Sequence, residues 1–127
     1  MFSLSFNNII QVNRGDSFTV PLFINISDDF LPEQYKLQEG SEVYFGVMEP
    51  NQPFEDAIIR KKYTHEDVDA DGNINIIFNT EDTACLIPGL YYYQIKIKLP
   101  LKDGSYAVNT IVQKTQFYIL EWYRWSQ

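Results

Sequence analysis

The strictest constraint in this 127-residue chain is an alternation of two residues, sustained from Leu90 to Leu99. Tyr91, Tyr93, Ile95, Ile97 and Leu99 occupy one set of positions, while Gln94, Lys96 and Lys98 fall between them. Successive side chains on a pleated strand face opposite sides, so this pattern predicts a half-buried strand and excludes an amphipathic helix. The segment before it repeats the pattern with Ile74, Ile76 and Phe78. Between the two lies a corner carrying the turn signals Asn79-Thr80, Glu81-Asp82-Thr83 and Pro88-Gly89, which predicts an irregular connection.

Further strands follow from the same argument. Ile9, Ile10 and Val12 predict a short first strand, stopped by the turn Asn13-Arg14-Gly15-Asp16. Phe18, Val20, Leu22, Ile24 and Ile26 predict one strand of nine residues, with Pro21 forcing a bulge or an edge because it cannot donate to a ladder. Val43, Phe45 and Val47 predict an inward face for the third strand. Ala57–Tyr63 is more polar and predicts a fourth strand near an edge, where lysine discourages further pairing. Asp71-Gly72 and Asp103-Gly104 are turn pairs, the second within a hairpin turn at 102–105. Residues 106–119 predict one long strand, or two split near Gln113-Lys114-Thr115. Residues 27–40 read as a polar connection with one short helical turn, residues 1–8 as a short arm, and residues 120–127 as an aromatic tail. Seven to eight strands spaced by turn residues, without a long helix, predict one all-β domain over 1–127, an antiparallel β-sandwich or barrel.

Composition narrows the function classes. Ten basic residues stand against 17 acidic ones, a net charge of −7. That balance argues against a nucleic-acid or anionic-membrane partner, either of which calls for a basic footprint. One cysteine, Cys85, excludes an intrachain disulfide and a cysteine metal cluster. Its neighbours Ala84 and Leu86 predict a small buried hydrophobe. The N-terminal residues lack the basic and apolar regions of a secretory signal, and no apolar run is long enough to span a bilayer.

Three motifs carry possible chemistry. Asp67, Asp69 and Asp71, followed by Gly72, match the first half of a calcium loop, but the twelfth position, where a bidentate glutamate belongs, is Phe78. A solvated hairpin turn explains the aspartates better. Arg14-Gly15-Asp16 spells an integrin-recognised tripeptide, yet a Gly-Asp pair is also what entry into a strand requires. His65 is the single histidine, and a dyad with Cys85 has no supporting third group. No catalytic residue and no cofactor is assigned, and the chain reads as a non-enzyme. Trp122, Tyr123, Arg124 and Trp125 are the residue types enriched at binding hot spots, and they are the candidate partner interface.

The order of these elements resembles a known group. It runs Ile10, Gly15-Asp16, Phe18, Val20, Leu22, Ile24, then Gly40-Ser41, Val43, Phe45, Val47. It continues through Asp71-Gly72, Ile74, Ile76, Phe78, Asp82-Thr83, Leu86, Gly89, Tyr91, Tyr93, Ile95, and ends with Thr110-Ile111-Val112, Phe117 and Ile119. This pattern, covering about residues 9 to 119, resembles the small immunoglobulin-like domains of tailed-phage virion proteins, such as the N-terminal domain of baseplate upper proteins. The resemblance implies a non-enzymatic decoration, adaptor or attachment module in the virion. Its partners would be other capsid, tail or baseplate subunits in a multi-copy assembly, met through a strand edge or an aromatic end. This chain lacks the long C-terminal receptor-binding extension of the baseplate proteins. The alternative is a carbohydrate-binding or host-surface adhesion module that stacks sugars on Trp122, Trp125 and nearby tyrosines. In a sandwich, Leu86-x-x-Gly89-x-Tyr91 becomes the crossing between sheets, with Tyr91 or Tyr93 as its corner tyrosine.

Overall fold

A computed structural model describes residues 2–4, 9–22, 24–27, 32–34, 39–70, 72–101 and 103–121. In chain order the strands are β1 (Phe2–Leu4), β2 (Ile10–Asn13), β3 (Phe18–Leu22), β4 (Ile24–Ser27), β5 (Pro32–Gln34), β6 (Glu42–Met48), β7 (Ile59–Thr64), β8 (Ile74–Phe78), β9 (Gly89–Pro100) and β10 (Tyr106–Leu120). One short helix, α1 (Thr80–Ala84), lies between β8 and β9. The fold is all-β and sandwich-like. A five-stranded sheet runs β2-β10-β9-β6-β7, a two-stranded sheet pairs β3 with β8, and a three-stranded sheet runs β1-β4-β5.

The inward residues of the two facing sheets make one core. Val43, Phe45 and Val47 of β6 meet Tyr93, Ile95 and Ile97 of β9 and Phe117 and Ile119 of β10, while Ile74, Ile76 and Phe78 of β8 close it from the other side. All of these are at most 1% exposed, so the alternation read from the sequence is the burial pattern of the fold. Phe78 is the central ring. It stacks on Phe18 at 4.3 Å between centroids, meets Phe45 edge-on at 5.4 Å and leans on Phe117 at 5.9 Å. Such geometries align the ring quadrupoles favourably.

The crossing after β8 is held by the tyrosine corner. The Tyr91 hydroxyl donates to the Ile87 carbonyl at 2.6 Å, while Tyr93 lies wholly in the core. Tyr91→Phe is therefore expected to lose about 1 kcal/mol in chemical denaturation. An unchanged midpoint would show that this bond is not holding the corner.

Several expectations are corrected. The sandwich is mixed and not purely antiparallel, because β2 runs parallel to β10 with Ile10 opposite Phe117 and Val12 opposite Ile119. The expected nine-residue strand is two: β3, ending at Leu22, pairs with β8, and β4, beginning at Ile24, pairs with β1 and β5. Pro21 does sit on an edge, because β8 is the strand paired with β3. Part of the expected N-terminal arm is β1, and part of the polar connection 27–40 is β5; short strands without alternation give no periodic signal. The corner expected to be irregular contains α1, begun by a capping box in which Asn79 and Asp82 satisfy each other's backbone. Cys85 is exposed, because it follows the last turn of α1 and projects away from the core. β10 is one strand with register shifts between Thr110 and Val112 and between Val112 and Thr115, so the expected split near residue 114 is a bulge.

Candidate functional site

Those of the singled-out residues that are described take part in the turns and caps of the fold. Asp67 completes a capping box on the turn His65–Asp67: its carboxylate accepts from the Thr64 N–H at 2.7 Å. The Asp69 carboxylate accepts from the Asn73 N–H and the Asn75 side-chain amide, both at 2.9 Å. Both carboxylates thus hold backbone and side-chain donors of the connection into β8. Phe78, at the would-be twelfth ligand position, is in the core. Asp71 lies outside the described residues, and among those described no group of three or more potential metal ligands forms.

Arg14-Gly15-Asp16 forms the turn out of β2. Arg14 pairs with Glu121 at 3.0 Å, the Gly15 N–H donates to the buried Thr83 hydroxyl at 2.8 Å, and Gly15 has φ +87°, which a side chain would strain. The Asp16 N–H donates to the Asn13 carbonyl at 3.1 Å, so the tripeptide is tied down at three points. His65 opens the turn directly after β7, Cys85 is the residue that ends α1, and no hydrogen bond joins the two among the described residues. They form no dyad. Trp122, Tyr123, Arg124 and Trp125 lie outside the described residues.

What the sequence did not single out is the outward face of the five-stranded sheet. Strand register sets three rows across it. In the first, Lys96 of β9 stands opposite Tyr44 of β6, which stands opposite Lys62 of β7. In the second, Lys98 stands opposite Glu42. In the third, Gln94 stands opposite Gly46, which stands opposite Arg60. The outward positions of β6, β7 and β9 therefore gather four cations and one carboxylate on a chain whose net charge is −7. Lys96 and Lys98 are about 7 Å apart along their strand, and two strand spacings, about 10 Å, separate Lys96 from Lys62.

Aromatic rings lie between these cations. Lys96 Nζ is 4.9 Å from the Phe54 ring centroid, Lys98 Nζ is 4.3 Å from that of Tyr106, and Lys62 Nζ is 6.0 Å from that of Tyr44. Such stacking fixes the ammonium groups without neutralising them. Gly46 allows the arrangement: a Cβ there would come within 2.7 Å of the Phe54 ring and 3.1 Å of the Ala57 Cβ. Phe54 therefore lies directly over the sheet, leaving beside it a cleft of about 350 Å³ bounded by Tyr44, Phe54, Ala57, Arg60 and Lys62. Arg60 secures the turn that carries Phe54 by donating to the Ala57 and Glu55 carbonyls, each at 2.9 Å.

Glu42 is the one carboxylate in the rows, and it is committed. Tyr44 donates its hydroxyl to Glu42, and Lys62 Nζ lies 3.4 Å away. The Tyr44 hydrogen bond, joined by Lys62 and Lys98, holds the Glu42 carboxyl below the usual range, and the same bond pushes the Tyr44 phenol up to about 12. Burial pushes Tyr93 up to about 12 as well. A phenol whose folded pKa exceeds its unfolded value of about 10 stabilises the fold fully below pH 10 and loses that contribution as the pH rises towards 12. Unfolding free energy is therefore expected to hold steady up to about pH 9 and fall between pH 10 and 12. Tyr44→Phe should lessen the fall, as read by urea titrations across that window. An identical fall in the variant would exclude the Glu42–Tyr44 bond as a contributor.

The β7 edge of this sheet is a poor docking site by comparison. On β7 the consecutive cations Arg60, Lys61 and Lys62 oppose pairing with another strand. Lys61 and Tyr63 turn inward to bridge the two sheets: Lys61 Nζ pairs with Asp82 at 2.8 Å, and the Ile77 N–H donates to the Tyr63 hydroxyl at 3.1 Å. The basic rows were missed because their cations lie on β7 and β9, more than 30 positions apart in sequence. Only the insertion of β6 between those strands brings them together. No protein-family model matches the chain, and no curated protein is significantly similar to it. Among the described residues no helix is long and apolar enough to cross a membrane.

Proposed function

We propose that the chain is a non-enzymatic structural or accessory module of a tailed-phage virion, an immunoglobulin-like unit that binds capsid, tail or baseplate subunits. Two things support this reading: the ordered strand and turn pattern, and the outward sheet face described above. The face carries the argument. It is a broad, rigid surface backed by a dense core, with charge opposite to that of the chain as a whole. Tyr44, Tyr106 and Arg60 belong to the types that concentrate binding energy at protein interfaces, and the lysines add charge complementarity. The bound partner in this reading is a protein surface rich in carboxylates. Many weak copies of one such contact in an array would hold through avidity.

The carbohydrate-binding reading rests on Trp122 and Trp125, which lie outside the described residues; among the described aromatics, lysine ammonium groups already sit over the rings of Tyr44, Phe54 and Tyr106. A neutral sugar would have to displace those lysines or use the opposite ring faces, so the protein-binding reading is preferred. Mass spectrometry of purified virions produced from the genome encoding this chain tests the proposal. The expected result is the intact chain at many copies per particle. Its absence from particles that contain all other structural proteins would overturn the proposal.

A further inference from the structure

The basic face has a complement on the same molecule. Glu66, Asp67, Asp69 and Asp71 place four carboxylates within six residues of the connection leading into β8. Glu66 and Asp67 are exposed, and so is Ala70 between the last two aspartates. On the sheet face, Lys96, Lys98 and Arg60 take part in no ion pair among the described residues. Their charges are therefore available to a partner. Opposing two copies of this face would set four cations against four, so a two-fold, face-to-face dimer is disfavoured by like-charge repulsion. The acidic connection of one copy on the basic face of another removes that repulsion and pairs the unpaired cations. Such a contact uses two different patches, and when made in one direction only it leaves one patch open on each copy. A heterologous contact of this kind builds rings or open strings, not closed dimers.

We propose that the outward face of the five-stranded sheet is a self-assembly surface that receives the acidic connection, residues 66–70, of a second copy of this chain. The inference rests on the assembly reading above and names the partner for that face. Ionic attraction makes the contact sensitive to salt, because exposed charges are screened within about 8 Å at physiological ionic strength. The rings of Tyr44, Phe54 and Tyr106 supply apolar area around the charges.

Sedimentation velocity at 20 mM and 500 mM NaCl, over a range of protein concentrations, tests this directly. The expected result is concentration-dependent association at low salt that is lost at high salt. The double variant Lys96→Glu/Lys98→Glu should weaken it at least about tenfold, and Glu66→Lys/Ala70→Lys should do the same. None of these four residues is in the core, so unchanged circular dichroism and thermal midpoints are expected for both variants. The decisive arm mixes the two variants. Each keeps one intact patch complementary to the other's, and the two charge-reversed patches complement each other as well, so the mixture should recover the salt-sensitive association that each variant alone has lost. Wild-type protein that stays monomeric at every concentration in low salt would overturn the inference, as would association that survives in both variants. Binding of dextran sulfate or duplex DNA by a strictly monomeric wild type, lost in Lys96→Glu/Lys98→Glu, would also overturn it by assigning the face to an anionic polymer. These outcomes concern the partner alone. The virion proposal fails separately, on the absence of the chain from particles.

Discussion

Phe78→Ala is expected to remove about 4 kcal/mol of stability, the largest loss from any single replacement considered for this fold. The side chain is fully buried and touches rings from three directions: Phe18 beside it in the two-stranded sheet, Phe45 and Phe117 across the sandwich. Removing it leaves a cavity that β8 cannot fill by moving, because β8 is paired with β3 and its Ile77 N–H is held by Tyr63. Domains of this size are typically stable by only about 5–15 kcal/mol, so the variant should lie near its unfolding midpoint at modest urea concentrations. Phe78→Leu keeps most of the volume and should lose roughly 1–2 kcal/mol. Urea titrations of the two variants check both values. A loss under about 1 kcal/mol for the alanine variant would mean that Phe78 is not the ring on which the sheets meet.

Asp82→Ala should cost about 2 kcal/mol, through two separate bonds made by one carboxylate. Asp82 Oδ2 accepts from the Asn79 N–H at 2.7 Å, which starts α1, and from Lys61 Nζ at 2.8 Å, which ties the corner to β7 on the facing sheet. Both partners of the ion pair are about four-fifths shielded, so removing the acid strands a cation in a poorly hydrated place. Lys61 Nζ also lies 5.7 Å from the Phe78 ring, which keeps some of its interaction in the variant. A double-mutant cycle with Lys61→Met separates the ion pair from the cap: the coupling energy reports the pair, and the residual loss in the Lys61→Met background reports the cap. If Asp82→Ala and Lys61→Met prove additive, the tie between the sheets contributes nothing beyond its separate ends.

The parts of this fold that were legible in the sequence are those where one face of a strand is wet and the other dry. Alternation of Tyr91, Tyr93, Ile95 and Ile97 with Gln94, Lys96 and Lys98 names the buried face directly, and the burial of each inward residue agrees. The tyrosine corner was legible to within two candidates, because a hydroxyl near a sheet crossing needs an acceptor and only its geometry selects Tyr91. β1 and β5 were not legible, since three-residue strands are too short for a period to emerge. The exchange of partners between β3 and β4 was hidden for the opposite reason: alternation continues straight through the break. The exposed position of Cys85 contradicts its apolar neighbours because α1 turns the chain outward just there. The candidate interface was hidden most completely. Its lysines looked like the ordinary solvated positions of two strands, and their clustering is a property of strand order that no local window contains.

The parallel pairing of β2 with β10 bears on how the protein is made. β10 is the central partner of both β2 and β9, so the five-stranded sheet lacks its second strand until the last described strand has emerged from the ribosome. Ile10 waits through more than a hundred residues of synthesis before Phe117 reaches it. Pairings between such distant residues carry a large loop-closure cost before any contact repays it, which places folding in the millisecond-to-second range typical of β-sandwiches. Until β10 emerges, the pairing edges of β2 and β9 that face it remain open. Nascent copies held close together on one polysome would be the most exposed to mispairing, and the Lys-rich edge of β7 is the strand best protected against it.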